Sequence, residues 1–452
     1  MQNTIWVNTI IKLIKRLLRK SRASKPPVDS SYIIQRSHHH VSKTDISPNA
    51  LKVLNRLNSA GFQAYLVGGS VRDLLLHHAP KDFDVATNAT PNQIKNLFRN
   101  ARIIGRRFKL AHILYHREII EVATFRGHEP VDDNQQTNDS GMLIRDNAYG
   151  TLEEDAWRRD FTINSLYYNI EDASIVDFTG GVQDVNQRLI RMIGNPVTRY
   201  QEDPVRMLRA IRFSAKLHFE FSPETALPLL ELSSLIKDIS GSRLFDEITK
   251  LYQCGEAVSV QHLLVKHGLF QHLFAQTDKL KDSEFPVNAF LAIALESTDT
   301  RIRENKPVTP AFLFAVLLWF PLMVRTEELK NEGMDPLPAL EKAMSHVITE
   351  QNKVITVPKR FTQVMREIWL LQFRLPKRLG NRAYHLLEHP RFRAAYDFLA
   401  LRALANDESM ELAEWWTNFQ DVEPNVQAQM IEALTHLTPP PPKKRRKPKP
   451  TT

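Results

Sequence analysis

Apolar residues follow two regimes along the 452-residue chain. From 47 to about 200, short apolar runs alternate with helix-spaced ones; beyond Asp203, spacings of three and four take over, punctuated by Pro and Gly. Ser47-Pro48 is a helix start, a capping hydroxyl followed by proline at the first helical position, with Leu51, Leu54 and Leu57 on one face and Gly61 closing the helix. Residues 63–67 read as a strand, Gly68-Gly69-Ser70 as a turn and 71–77 as a helix. The run Asp82-Phe83-Asp84-Val85 reads as a second strand. A helix over 91–100 and strands over 102–104, 109–115 and 118–124 complete an α+β pattern around a small mixed sheet. Residues 203–437 read as all-helical. The longest uncharged apolar run, 311–324, has 14 residues and contains Pro321, so it suits a buried helix and is too short to span a bilayer.

The polar stretches read differently. Ile5, Val7, Ile11, Ile14, Leu17 and Leu18 recur at helical spacing among Lys12, Lys15, Arg16, Arg19 and Lys20, which predicts a basic amphipathic helix. A weak membrane-surface contact through 5–20 and a mobile basic arm are both open readings. No signal-peptide pattern is present. Residues 21–47 read as linker, with His38-His39-His40 as a solvated run, and 132–140 as a mobile loop. Four prolines, 439–442, stop the last helix before a basic tail.

Length implies more than one domain. The net charge of +9 belongs to the ends: residues 1–25 carry seven Lys or Arg and 443–452 carry six, with no acid in either, which leaves the chain between them at −4. The high pI therefore does not make the folded body a basic surface. The single cysteine, Cys254, excludes an internal disulfide and fits a reducing cytoplasm.

The chemistry is concentrated in 66–85. Glycines 68 and 69 permit backbone angles that turn amide N–H groups inward as an anion cradle. Strand alternation points Asp82 and Asp84 to one face and Phe83 and Val85 to the core. Two carboxylates about 4 Å apart repel by roughly 4 kcal/mol at an effective dielectric of 20, against about 1 kcal/mol in water, so keeping both ionised in a cleft calls for a cation. An Asp-X-Asp pair alone is most often an acidic surface loop. A phosphate-cradling turn just upstream favours a Mg²⁺ site instead.

Gly68-Gly69-Ser70-Val71-Arg72-Asp73 with Lys81-Asp82-Phe83-Asp84-Val85-Ala86-Thr87 resembles the signature of the nucleotidyltransferases that include bacterial poly(A) polymerases and CCA-adding tRNA nucleotidyltransferases. Arg158-Arg159-Asp160-Phe161-Thr162-Ile163-Asn164 matches a second motif of that family, which implies Asp160 as third acidic residue and Arg159 near the nucleotide. Glu121, on a strand able to pair with the acidic one, is a rival that the resemblance does not mark. Asp177-Phe178-Thr179-Gly180-Gly181 resembles the turn joining head to helical neck and has a structural role. Along 202–213, Asp203, Arg206, Arg209 and Arg212 recur every three residues; alone they make a solvated face, whereas the resemblance implies that Asp203 and Arg206 read the incoming base and that Arg209 and Arg212 reach the triphosphate, as would Gly68, Gly69, Ser70 and Arg72.

The resemblance also implies an organisation: a basic arm and linker (1–46), a catalytic head (47–197), a neck with the base reader (198–260), an RNA-binding body (261–438) and a basic tail (439–452). The expected chemistry is template-independent transfer of AMP from ATP to RNA 3′ ends by a monomer in the cytoplasm, with Mg²⁺, or Mn²⁺ in its place, held by Asp82 and Asp84. Arg102-Ile103-Ile104-Gly105-Arg106-Arg107-Phe108 with Leu110-Ala111-His112-Ile113 resembles the pattern that marks the poly(A) branch from the CCA-adding one. Alternatives are a CCA-adding enzyme and a silent RNA-binding adaptor on the same fold. Ser70 stands where relatives often carry Gly, Ala or Cys, a side chain still small enough for the turn to approach phosphate, and His77-His78-Ala79 replaces a glycine, affecting only loop shape.

Overall fold

The computed structural model describes residues 30–105, 109–127 and 149–437. The amphipathic arm, Arg106-Arg107-Phe108, the polar loop 132–140 and the basic tail lie outside the described residues. The chain divides between Leu232 and Ser233 into two compact units.

The first unit is α+β, built on an eight-stranded sheet in the order β1-β8-β7-β2-β3-β6-β5-β4. The strands are β1 (Ile33–Ile34), β2 (Ala64–Val67), β3 (Asp84–Thr87), β4 (Ala101–Ile104), β5 (Leu110–Tyr115), β6 (Glu118–Thr124), β7 (Tyr167–Tyr168) and β8 (Ile175–Val176). Only β3 and β6 run parallel; every other neighbouring pair is antiparallel. Helix Pro48–Ser59 begins as its sequence implies, with Ser47 Oγ accepting the Ala50 N–H at 3.2 Å, and packs on β2, β3 and β6. Its buried residues are Ala50, Val53, Leu54 and Leu57, so Val53 takes the place expected of Leu51. A separate apolar cluster joins Tyr65, Val67, Ala86, Tyr167 and Val176 of the sheet to Leu152 and Ala156 of helix Leu152–Arg158.

Several expectations are corrected. Residues 30–46, read as linker, are part of the fold: Ile33 and Ile34 pair with Val176 and Ile175, Tyr32 packs on Phe178, and Val41 and Ile46 are buried. Two-residue strands such as β1, β7 and β8 are too short to display alternation. The histidine run is not simply solvated: His39 meets Tyr168 edge-on, and His40 stacks on His77 at 3.7 Å while Nε2 bonds the Leu74 carbonyl at 2.9 Å. Asp82 precedes the acidic strand, which starts at Asp84. Past Asp203, Glu220–Phe221 pairs in parallel with Leu189–Ile190, an exception to the helical reading.

The second unit's named elements are all helical, apart from turns. The run 311–324 forms two helices, Pro310–Leu317 and Trp319–Asn331, with Pro321 in the first turn of the second, where its missing N–H costs nothing. Trp319, Trp369 and Trp416 are fully buried, and each indole N–H donates, to Asp407 Oδ2, the Ala315 carbonyl and the Leu375 carbonyl respectively. Among the described residues no helix is long and apolar enough to cross a membrane.

Candidate active site

Strand β2 ends at Val67, and Gly68 follows at φ +77° and ψ −131°, a conformation that strains any residue with a Cβ. Its N–H donates to the Leu166 carbonyl at 3.0 Å, tying the turn to the strand beside it. Gly69 and Ser70 then open helix Gly69–Leu75, where first-turn amides have no intrahelical acceptor. Ser70 Oγ donates to the Val67 carbonyl at 3.1 Å and is buried, so this side chain closes the turn.

Sheet register determines what adjoins the turn. Val67 pairs with Asp84, Asp84 with Glu121, Glu121 with His112 and His112 with Arg102. Paired residues face the same side, so Asp84, Glu121, His112 and Arg102 form one row across four strands. The Asp84 side chain still meets solvent, yet partial burial pushes its carboxyl up to about 6; Glu121 adds to the rise, Arg159 opposes it, and Asp82 and His112 act more weakly in opposite senses. Glu121, the rival third acid, is thus the carboxylate that presses hardest on Asp84.

Asp160 has a different setting. Its Oδ2 accepts from Arg209 Nε at 2.6 Å and its Oδ1 from the Phe161 N–H at 2.9 Å. Burial works against its charge, but Arg209 and the Phe161 amide hold the carboxyl below its ordinary range. The negative charge expected to complete the acidic site is already matched by a cation.

The arginines converge on Asn164, which sequence reasoning left without a role. Arg72, only 3% exposed, donates from Nη1 to Asn164 Oδ1 at 2.6 Å and from Nε and Nη2 to Asp73 Oδ1. Arg159 Nη1 reaches the Asn164 carbonyl at 3.4 Å, and Nε and Nη2 bind Asp155, which also accepts from the Tyr167 hydroxyl at 2.7 Å. Burial works against the Arg159 charge, but Tyr167 and Asp155 keep its guanidinium firmly protonated. Arg72, expected at the triphosphate, and Arg159, expected near the nucleotide, are braced by protein partners beside the glycine turn. Asn164 ends the Arg-Arg-Asp motif and Asp155 lies three residues before it, on helix Leu152–Arg158; polarity is the signal each offers in the sequence.

Helix Val205–Leu217 adds the remaining candidates. Asp203 ends helix Pro196–Glu202, and its Oδ1 accepts from the Val205 N–H at 3.3 Å. Arg206 Nη1 donates to the Arg199 carbonyl and to Glu202 Oε2, both at 2.8 Å. Arg199 in turn donates to the carbonyls of Arg158 and Arg159, each at 2.6 Å, joining the base-reader segment to the second motif. The guanidinium carbons of Arg72, Arg209 and Arg212 lie 5.5, 5.3 and 5.2 Å from the Phe213 ring centroid. The Asp177 turn serves packing: its carboxylate accepts from the N–H groups of Thr179, Gly181 and Val182, and a Cβ on Gly181 would stand 2.2 Å from the Thr162 carbonyl oxygen.

Three family models match: Poly A polymerase head domain over 64–191, Probable RNA and SrmB- binding site of polymerase A over 218–281, and Polymerase A arginine-rich C-terminus over 332–450. Poly(A) polymerase I of Salmonella typhi is 50% identical over 411 residues, spanning 89% of this chain and 88% of that protein. Poly(A) polymerase I of Haemophilus influenzae is 45% identical over 442 residues, 95% and 98% of the two chains. The chain belongs to the poly(A) polymerase I family. It is therefore a nucleotidyltransferase. A CCA-adding enzyme of Bacillus subtilis is more distant, 36% identical over 52% of this chain and 59% of that protein. The solved structure of a CCA-adding enzyme, apo form II, matches with a TM-score of 0.61 over 90% of this chain and 94% of its own at 18% identity, a likeness of fold.

Membership in this family implies divalent-metal use, and the donor chemistry fits. Among the described residues no group of three or more His, Cys, Asp or Glu side chains is placed to hold a metal ion by itself. An Asp84 carboxyl raised by burial and by Glu121 beside it is instead what an oxygen-ligated cation relieves, and substrate phosphates commonly complete such a shell.

Proposed function

We propose that this enzyme adds AMP residues from ATP to RNA 3′ ends without a template, releasing pyrophosphate, and that Asp82, Asp84 and Glu121 form its acidic centre. The observation that carries the site assignment is the register Val67–Asp84–Glu121, which brings the glycine turn to the edge of clustered carboxylates. Similarity to poly(A) polymerases over nearly nine-tenths of the chain supports the choice of substrate over CCA addition.

Asp82 and Asp84 would hold Mg²⁺, which when bound supplies charge neutralisation of the phosphates and lowers the pKa of the attacking hydroxyl. The amides of Gly69 and Ser70 face the triphosphate at the turn. Arg72 and Arg159, locked through Asn164, Asp73 and Asp155, keep that turn in shape and add positive potential beside it. The 3′-hydroxyl of the RNA attacks the α-phosphorus in line and the bond to pyrophosphate breaks, with no covalent enzyme intermediate. Asp203 offers acceptors suited to the adenine amino group, and Arg206, pre-oriented by Glu202 and the Arg199 carbonyl, offers donors to a ring nitrogen.

The test is incorporation of labelled ATP or CTP by the purified protein on a generic RNA primer and on tRNA lacking its terminal CCA. Long A tails on the generic primer are expected. CTP incorporation stopping after two residues on tRNA would replace this reading with CCA addition, and no incorporation with Mg²⁺ or Mn²⁺ would leave an RNA-binding adaptor.

A further inference from the structure

The row that starts at Asp84 does not end at Glu121. On the next strand His112 lies directly opposite Glu121, and its Nε2 stands 3.0 Å from Glu121 Oε1. The imidazole is largely enclosed, its side chain 20% exposed, whereas Glu121 is 46% exposed. A flexible, half-exposed glutamate on a strand would sample several rotamers in water, and its carboxylate is repelled by Asp84 beside it. A well-packed imidazole hydrogen-bonded to one of its oxygens holds it in place against that repulsion.

We propose that His112 is a positioning residue of the nucleotidyl-transfer centre: through its Nε2–H it holds the Glu121 carboxylate in register beside Asp84. This rests on the assignment of Glu121 to the acidic centre. In the neutral imidazole the bond places the proton on Nε2, since a carboxylate can only accept. His112 touches neither substrate nor Asp84 in this role; it reduces the number of geometries Glu121 explores, so the acidic centre is preformed.

The experiment compares His112→Ala, His112→Gln, Glu121→Gln and the double variant His112→Ala/Glu121→Gln in the full chain. Steady-state adenylation, Mn²⁺ binding followed by electron paramagnetic resonance, and thermal unfolding are measured together. Losing a partner that orients an acidic ligand costs about 10- to 100-fold. His112→Ala is thus expected to lower kcat and weaken Mn²⁺ binding by about tenfold, with KM for RNA primer and melting temperature near wild type. His112→Gln, whose amide can donate the same bond, should recover most of the loss. The double variant should be no worse than Glu121→Gln, because both act through one carboxylate. If Glu121→Gln is impaired while His112→Ala keeps kcat and Mn²⁺ binding within twofold, the positioning role is overturned and the Glu121 assignment stands. Additive losses, or no recovery with Gln, likewise overturn it. Wild-type behaviour of Glu121→Gln overturns both readings.

Discussion

Two carboxylates of the first unit, Asp84 and Asp160, sit in motifs of similar appearance and have opposite electrostatic settings. Around Asp84, burial first and then Glu121 and Asp82 raise the carboxyl, and the opposing influence of Arg159 and His112 does not bring it back to its ordinary range. Around Asp160, Arg209 and a backbone amide do more than offset burial. The first arrangement combines burial with like-charge repulsion, both of which a bound cation would offset. The second is already neutral and joins helix Val205–Leu217 to the second motif. A carboxylate's neighbours, more than its motif, separate a ligand-binding acid from a framework acid.

The sharpest way to break this contrast is Asp84→Asn against Asp160→Asn. Asp84→Asn should reduce kcat by about 10²- to 10³-fold or more, the scale of removing one preorganised electrostatic group, with the melting temperature unchanged or raised. Asp160→Asn should mainly lose stability. If Asp160→Asn abolishes adenylation without destabilising the protein, the distinction fails and Asp160 returns as the third acid. Next in size, Asp203→Ala or Arg206→Ala should reduce the preference for ATP over other nucleotides by about tenfold or more, the worth of one charged hydrogen bond, with primer affinity held; an unchanged preference would remove both as base readers. Arg209→Ala should cost about 1.5–3 kcal/mol in urea unfolding by stranding Asp160. A cost near zero would mean that the 2.6 Å pair contributes little.

The smallest effect is a pH signature in metal-free protein. Burial and the neighbouring Glu121 push the folded Asp84 carboxyl up to about 6, from an ordinary value of 3.8. Between those values the folded state binds more protons than the unfolded one, so stability falls as pH rises from about 4 to 6 and is level above. The melting-temperature gain of Asp84→Asn over wild type should therefore be near zero at pH 4, grow to about pH 6 and then stay constant. A gain independent of pH would show that the like-charge cluster is not felt. Saturating Mg²⁺ should raise the wild-type melting temperature above pH 6 and raise that of Asp84→Asn less.

Much of the head was legible before any coordinates. The Ser47 cap, the strand before Gly68 and the strands 110–115 and 118–124 follow from local chemistry: a capping hydroxyl, glycine's conformational freedom and period-two patterning. What escaped was short or long-range. Ile33–Ile34 forms an edge strand only because β8 is there to pair with it. In sequence His112 is one letter of a branch pattern, and nothing local indicates that its ring meets Glu121, nine residues on. From sequence, Arg72 is expected at the triphosphate and the resemblance places Arg159 near the nucleotide, whereas Asn164 and Asp155 occupy much of their donor capacity.

The glycine turn, the acidic strand, the second motif and the helical character of the C-terminal half can be read from local sequence, because each rests on interactions within a few residues. Which acids share a field is set by the way distant strands and helices come together. Parallel pairing of β3 with β6 brings Asp84 and Glu121 together across 37 positions of chain, while Arg209 neutralises Asp160 from 49 positions away. Charges act through space at a strength set by distance and burial, and neither quantity is encoded in local spacing.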